Sequence, residues 1–182
     1  MKLQICGGKF KRTQINIPDN FSARPAKNIV REAICNVLQT RIAGSETLDL
    51  CAGTCLFSME MISRGAKKAV AVEQNAELCG LIKKQIEKHP WSKNLEILCG
   101  NVEDFIEKCA ENFDIIYFDP PYHKNELSAL LSKLPNLCKD GGIIVFEFAS
   151  GDKYVEENYA EYGFRKYGKS SVLFIKKEDL CR

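Results

Sequence analysis

A chain of 182 residues, 45% hydrophobic and 27% charged, suits one globular domain with a substantial core and excludes a fibrous or low-complexity protein. No apolar run approaches bilayer length, and Met1–Phe10 lacks the apolar stretch of a secretory signal, so a cytoplasmic address with no membrane partner is expected. The net charge of +2 is uneven: residues 1–41 hold eight Lys/Arg against two acids, whereas the remainder holds 18 against 22. That distribution suggests a polyanion contact at the N-terminal end.

Residues 2–6 and 13–17 alternate in polarity around Gly7-Gly8-Lys9 and predict a β-hairpin, ended by Pro18-Asp19-Asn20. Residues 26–40 place Ile29, Val30, Ala33, Ile34, Val37 and Leu38 at helical spacing, with Pro25 near the first turn. From residue 46 strands and helices alternate. Strands are expected at 47–51, 69–72, 95–98, 114–118 and 143–148, the last entered through a Gly141-Gly142 turn. Helices are expected at 56–63, 76–88, 102–108, 125–138 and, more weakly, 153–159. Segments 164–167 and 172–175 close the chain as a hairpin. This alternation predicts an α/β, Rossmann-like fold: a seven-stranded, mostly parallel sheet covered on both faces, with an antiparallel C-terminal strand and a small N-terminal hairpin plus helix. The chain divides into an extension at 1–41 and a body at 42–182. The nine cysteines are scattered, with no C-x-x-C pair and no nearby His, so they read as small apolar residues and no metal is expected.

Ligands of such sheets bind at the carboxyl ends of the strands, near the switch in strand order. The first of these strands ends in Asp49-Leu50-Cys51-Ala52-Gly53-Thr54, where a tight turn into a helix brings the backbone of Ala52, Gly53 and Thr54 to a ligand. Asp49 is suited to orienting that loop or a cationic amino group. The second strand ends in Glu73-Gln74, about 20 residues past the loop, the spacing of a carboxylate that accepts from ribose hydroxyls. Such an acid repels a 2′-phosphate and so argues against NADP. The third strand ends in Asn101-Val102; Asn101 can approach an adenine edge and is also a good helix N-cap.

The most specific segment is the apolar strand that runs into Asp119-Pro120-Pro121-Tyr122. Two prolines stiffen the turn and remove two N–H donors, leaving carbonyls and the Asp119 carboxylate as acceptors beside an aromatic ring. An exocyclic amine conjugated into a base is a poor nucleophile. Asp119 and the Pro120 carbonyl can hold its two hydrogens so that its lone pair faces an electrophilic methyl, and Tyr122 can stack on the base.

At these residues the chain resembles the nucleic-acid amino-methyltransferases that carry (D/N/S)-P-P-(Y/F/W). Cys6-Gly7-Gly8-Lys9-Phe10-Lys11, Ala23-Arg24-Pro25, Val30-Arg31-Glu32-Ala33, Asn36-Val37-Leu38, Glu60 and Ser63-Arg64-Gly65-Ala66 extend the likeness to the bacterial 16S rRNA guanine-N(2) methyltransferase family, RsmD. The resemblance implies S-adenosyl-L-methionine as cofactor, held by Asp49, Ala52, Gly53, Thr54, Glu73, Gln74, Asn101 and Val102. It implies catalysis by Asp119, Pro120, Pro121 and Tyr122. It also implies a partner in 16S rRNA or an assembling small ribosomal subunit, with Lys9, Lys11, Arg12, Arg24 and Arg31 as RNA contacts on a monomer. Cys55 and Ser58 depart from the family, standing where its first loop has glycines. The four-residue corner alone leaves a DNA or RNA adenine-N(6) enzyme open. Cys55 also leaves open a non-catalytic RNA-binding protein on a degenerate methyltransferase fold.

Overall fold

The computed structural model describes residues 1–18, 21, 28–121, 129–159, 161 and 164–180. The expected hairpin forms from β1 (Lys2–Gln4) and β2 (Gln14–Asn16), with Leu3 opposite Ile15. Helix α1 (Asn28–Ile42) turns Val30, Ile34, Cys35, Leu38 and Ile42 inward; its expected start at 26 lies outside the described residues. There follow β3 (Glu46–Leu50), α2 (Leu56–Ser63), β4 (Lys68–Glu73), α3 (Ala76–Ile86), β5 (Leu95–Cys99), α4 (Val102–Lys108) and β6 (Phe113–Phe118). The chain then runs through β7 (Cys138–Ala149), α5 (Lys153–Asn158), β8 (Phe164–Tyr167), β9 (Ser170–Lys176) and a short unforeseen α6 (Lys177–Leu180).

Strands β3 to β9 form one seven-stranded sheet in the order β5-β4-β3-β6-β7-β9-β8. The first five are mutually parallel, and β9 runs antiparallel between β7 and β8. After β5 the chain returns to lay β6 beside β3, so the switch in strand order falls between the ends of β3 and β6. Asp49 of β3 pairs in register with Tyr117 of β6 there.

Period-two alternation sends each strand's residues to two buried faces. Ala69, Ala71, Ile115, Tyr117 and Val145 face α1, α2, α3 and the hairpin. Leu48, Leu50, Val70, Val72, Ile116, Phe118, Ile144 and Phe146 face α4 and the segment before β7. The hairpin's Leu3, Ile5, Ile15 and Ile17 belong to the first of these cores. Its backbone is also tied down: Cys6 N–H donates to Glu60 Oε2 at 2.8 Å, Phe10 N–H to Ser63 Oγ at 2.9 Å, and Asn16 N–H to Gln85 Oε1 at 2.7 Å. Gly8 holds φ +76 beneath the Ser63 carbonyl, a place where any Cβ would collide.

Two expectations change. The helix expected over 125–138 is, in its described part, a 3-10 helix at Ala129–Leu137; Pro135 inside it has no N–H for an α-helical ladder. The expected Gly141-Gly142 turn lies inside β7, which begins at Cys138. Pairing shifts register there: Cys138 opposes Phe113, yet Ile143 opposes Ile115. Gly142 passes so close to Cys138 Sγ and the Lys139 carbonyl that no side chain fits.

Candidate active site at the switch between β3 and β6

A cavity opens at the carboxyl ends of β3 and β6, lined by Asp49, Cys51, Ala52, Gly53, Thr54, Tyr117 and Asp119, with Arg31 and Phe57 behind. The loop from β3 to α2 forms its rim. Cys51, Gly53 and Cys55 all adopt left-handed backbone, with φ 60, 51 and 54. For the two cysteines this conformation costs roughly 1–2 kcal/mol each. Bonds that over-determine the loop hold it: Ala52 N–H donates to Val72 O at 2.9 Å, Gly53 N–H to Glu73 Oε2 at 2.8 Å, and Cys55 N–H to Ala52 O at 2.8 Å. The Cys55 side chain is fully buried in the core beneath the loop and does not line the cavity. Its replacement of a glycine therefore leaves the approach to the rim open.

Ser58, the second departure, has a partner. Its Oγ donates to Asp49 Oδ2 at 2.7 Å and its N–H to the same oxygen at 3.2 Å. Asp49 is buried, and removal from water lifts its carboxyl from 3.8 to about 7, with the two Ser58 bonds opposing and the charge of Glu73 adding to the rise. A cation placed in the cavity would return Asp49 to its ionised form.

Glu73, at the end of β4, accepts from Gly53 N–H through one oxygen and from Asn75 N–H through the other, each at 2.8 Å. Each oxygen keeps a second lone pair. Gln74 is exposed beside it, and Val102 is buried at the start of α4. Asn101 is the N-cap of α4: its Oδ1 accepts from Glu103 N–H at 2.6 Å and from Asp104 N–H at 3.3 Å. The N-cap expectation holds, and this carbonyl is engaged at the start of α4. What Asn101 can offer is its amide N–H, a donor suited to a ring nitrogen.

Asp119 follows β6 directly, its N–H reaching Leu50 O at 3.4 Å. Pro120 is buried and Pro121 exposed. Tyr122 and Arg24 lie outside the described residues. The Asp119 carboxyl is pushed well above the usual carboxylate range, first by burial, then by the charges of Glu147 and Asp49. Lys9, Lys11 and Arg12 are exposed on the hairpin turn. Arg31 is not: it is fully buried, bonded to Gln4 O, Cys6 Sγ and Asn28 Oδ1, and paired with Glu60 at 3.5 Å. The expectation of an RNA contact at Arg31 is corrected on that ground. This cation joins the hairpin to α1 and α2 behind the cavity.

Two buried acids escaped the sequence reading as site components, Glu60 and Glu147. The signal for Glu147 was present, a single charge inside the apolar run from Ile143 to Phe148. Among the described residues no cluster of His, Cys, Asp or Glu could hold a metal ion, and no helix is long and apolar enough to cross a membrane.

A parallel sheet with one reversed strand between β7 and β8, and an acidic corner at its switch point, defines the Rossmann-like methyltransferase fold. Residues 3–176 match the family model described as Conserved hypothetical protein 95, and the chain belongs to that family, the RsmD family. It is 26% identical over 146 residues to the ribosomal RNA small subunit methyltransferase D of Escherichia coli K12, covering 80% of this chain and 71% of that one. A hypothetical protein of Thermus thermophilus superposes with a TM-score of 0.77 at 25% identity, over 96% of this chain and 99% of that one. A 16S rRNA N2 methyltransferase of the same organism, solved with AdoMet and guanosine, superposes with a TM-score of 0.74 at 21% identity. That match covers 97% of this chain and 49% of the other.

Proposed function

We propose that this protein transfers a methyl group from S-adenosyl-L-methionine to the exocyclic N(2) amine of a guanine in 16S rRNA, free or within an assembling small subunit. The observation that carries the reading is the cavity at the β3–β6 switch, where Asp119, at the head of the Asp119-Pro120-Pro121 turn, lines the same space as Asp49 and Gly53. The residues fit the cofactor. Glu73 keeps acceptor capacity for ribose hydroxyls, Asn101 has a donor for an adenine ring, and Asp49 is an acid whose charge a cationic amino group would stabilise. Ala52, Gly53, Thr54, Gln74 and Val102 complete that side. When bound, the cofactor supplies an electrophilic methyl on a sulfonium.

Asp119 and the Pro120 carbonyl accept the two amine hydrogens and turn the lone pair toward the methyl, while Pro121 stiffens the turn. Tyr122 is assigned to stacking on the base from the resemblance. Residues 1–41 serve as the RNA-contact extension, with Lys9, Lys11, Arg12 and Arg24 meeting phosphates. Such a substrate implies a cytoplasmic site of action.

Nucleoside mass spectrometry of rRNA from a strain lacking the protein tests this. One N(2)-methylguanosine should vanish from the small-subunit rRNA and return with the wild-type gene but not with Asp119→Ala. Loss of N(6)-methyladenosine instead would move the target to adenine, and an unchanged nucleoside profile would refute the activity.

A further inference from the structure

The positive charge of the hairpin turn does not stand alone in the fold. Residues 83–93 hold four lysines, Lys83, Lys84, Lys88 and Lys93, against one acid, Glu87. All four are exposed, at the end of α3 and over the 3-10 turn Ser92–Asn94 that follows it. They lie outside the extension at 1–41, yet the fold joins them to it. Asn16 N–H donates to Gln85 Oε1 at 2.7 Å, and Gln85 Nε2 donates back to Asn16 O at 2.6 Å. Phe10, on the hairpin turn, packs on the buried Trp91 with ring centroids 5.9 Å apart, and His89 stacks on the same indole at 5.0 Å. Lys9 Nζ lies over the Phe10 ring, 5.7 Å from its centroid. Through Phe10 and Trp91 the bases of the turn and those of 83–93 are set beside one another.

These cations also lack counter-charges. Lys67, Lys68 and Lys139 each meet a carboxylate at 2.6 to 3.2 Å. Among the described residues no acid pairs with Lys9, Lys11, Lys84, Lys88 or Lys93. Like charges gathered on one surface repel, and a polyanion laid across them relieves that repulsion and releases its own counterions.

The patch stands apart from the cavity. Leu56 and Phe57, at the start of α2, line the cavity. Ser63, at the other end of α2, holds the hairpin turn, its carbonyl accepting from Lys9 N–H at 2.6 Å. Eight residues of helix separate the two by about 12 Å. Helix α3 likewise starts just after Glu73, at the carboxyl end of β4, and runs down to Ile86.

We propose that the hairpin turn and the 83–93 segment form one composite seat for RNA phosphates that flank the target nucleotide, with Lys84, Lys88 and Lys93 serving alongside Lys9 and Lys11. The target base enters the cavity at one end of α2, and the backbone of the same RNA is held at the other. Recognition then requires an RNA long enough to span both, and a short fragment around the target guanine is a poor substrate. This inference rests on the reading above that the substrate is RNA.

Filter binding of small-subunit rRNA at several ionic strengths tests it. Lys88→Glu/Lys93→Glu should weaken binding about tenfold or more and lower the slope of log K against log salt by roughly 1–2, as two lost phosphate contacts require. Lys108→Glu/Lys133→Glu makes the same change of charge on the opposite face of the sheet, on α4 and the 3-10 helix before β7, and should leave the slope unchanged. A short oligonucleotide carrying the target guanine, which does not span the two sites, should bind the first variant and the wild type alike. Unchanged Tm and S-adenosylhomocysteine affinity would show that both variants are folded. Equal losses in the two double variants, or wild-type affinity and slope in the first, overturn the proposal. So does a short oligonucleotide that loses as much affinity as full-length rRNA. A wild-type protein that binds rRNA through these lysines yet methylates none would instead count against the proposed function and leave the composite seat standing.

Discussion

Replacing Glu60 with methionine removes the counter-charge of a cation that has no route to water. The Glu60 side chain is 0% exposed and that of Arg31 is 1% exposed. After Glu60→Met, the bonds of Arg31 to Gln4 O, Cys6 Sγ and Asn28 Oδ1 remain, and none of these is to a charged group. The Cys6 N–H of the hairpin loses its acceptor as well. Breaking one side of a buried pair costs roughly 3–5 kcal/mol, within which the unpaired amide accounts for about 1 kcal/mol. The second ion pair of Glu60, to the partly exposed Arg64, adds little because Arg64 can turn to solvent. At ~2–4 °C per kcal/mol for a chain of this size, Tm should fall by about 6–20 °C. Thermal and urea unfolding of Glu60→Met, Arg31→Met and the double variant would measure this as a cycle. The double variant should be more stable than the sum of the two losses by at least ~1.5 kcal/mol, because no charge is left stranded. A Glu60→Met loss under ~1 kcal/mol, or strictly additive losses, would refute the account of the hairpin as anchored through a buried ion pair.

Further outcomes follow from other residues. Asp119→Ala should abolish methyl transfer and leave S-adenosylmethionine affinity within roughly tenfold by calorimetry, since the contact removed is to the amine; undiminished turnover would contradict its role. Asp49 binds a proton in the folded protein that the unfolded chain releases above 3.8, so its contribution is fullest below that pH and is lost as pH rises to about 7. Asp49→Asn, which keeps an acceptor for Ser58, should therefore gain in Tm on the wild type across that window, and parallel Tm–pH curves would exclude the raised carboxyl. Lys9→Glu/Lys11→Glu should weaken RNA binding and flatten its dependence on salt, read from filter binding at several ionic strengths; wild-type affinity and slope would remove the hairpin turn from the RNA surface. Gly8→Ala should destabilise by more than ~1 kcal/mol by chemical denaturation, given its left-handed backbone and the Ser63 carbonyl above it.

The parts of the fold that could be read from sequence are those fixed by local signals. Helices α2 and α4 have the bounds expected of them, because Gly65 stops the first and Asn101 caps the second. The start of β7 could not be read that way. Gly141-Gly142 is a strong local turn signal, and Gly141 does take a left-handed φ of 73; what no local signal shows is that Cys138, before that irregularity, already pairs with Phe113. The same division holds at the site. Glu73 and Asp119 announce themselves by position at strand ends. The burial of Arg31 is invisible because its partner Glu60 lies 29 positions away on another helix, and a basic residue in a basic segment reads as surface. Ser58 and Cys55 looked like losses because their compensations, the Asp49 carboxylate and the core under the loop, are contacts made only in three dimensions.

The placement of β9 bears on how the sheet is completed beside the site. Glu147 lies on the edge of β7 that β9 covers, and β8, although it precedes β9 in the chain, must sit outside it. Without residues 170–176 in place, β7 would present an open edge next to Glu147, so this reversed strand is what closes the sheet beside the acidic corner. A lesion in β9 is therefore expected to reach the site through the backbone of β7, from a segment some fifty residues away in sequence.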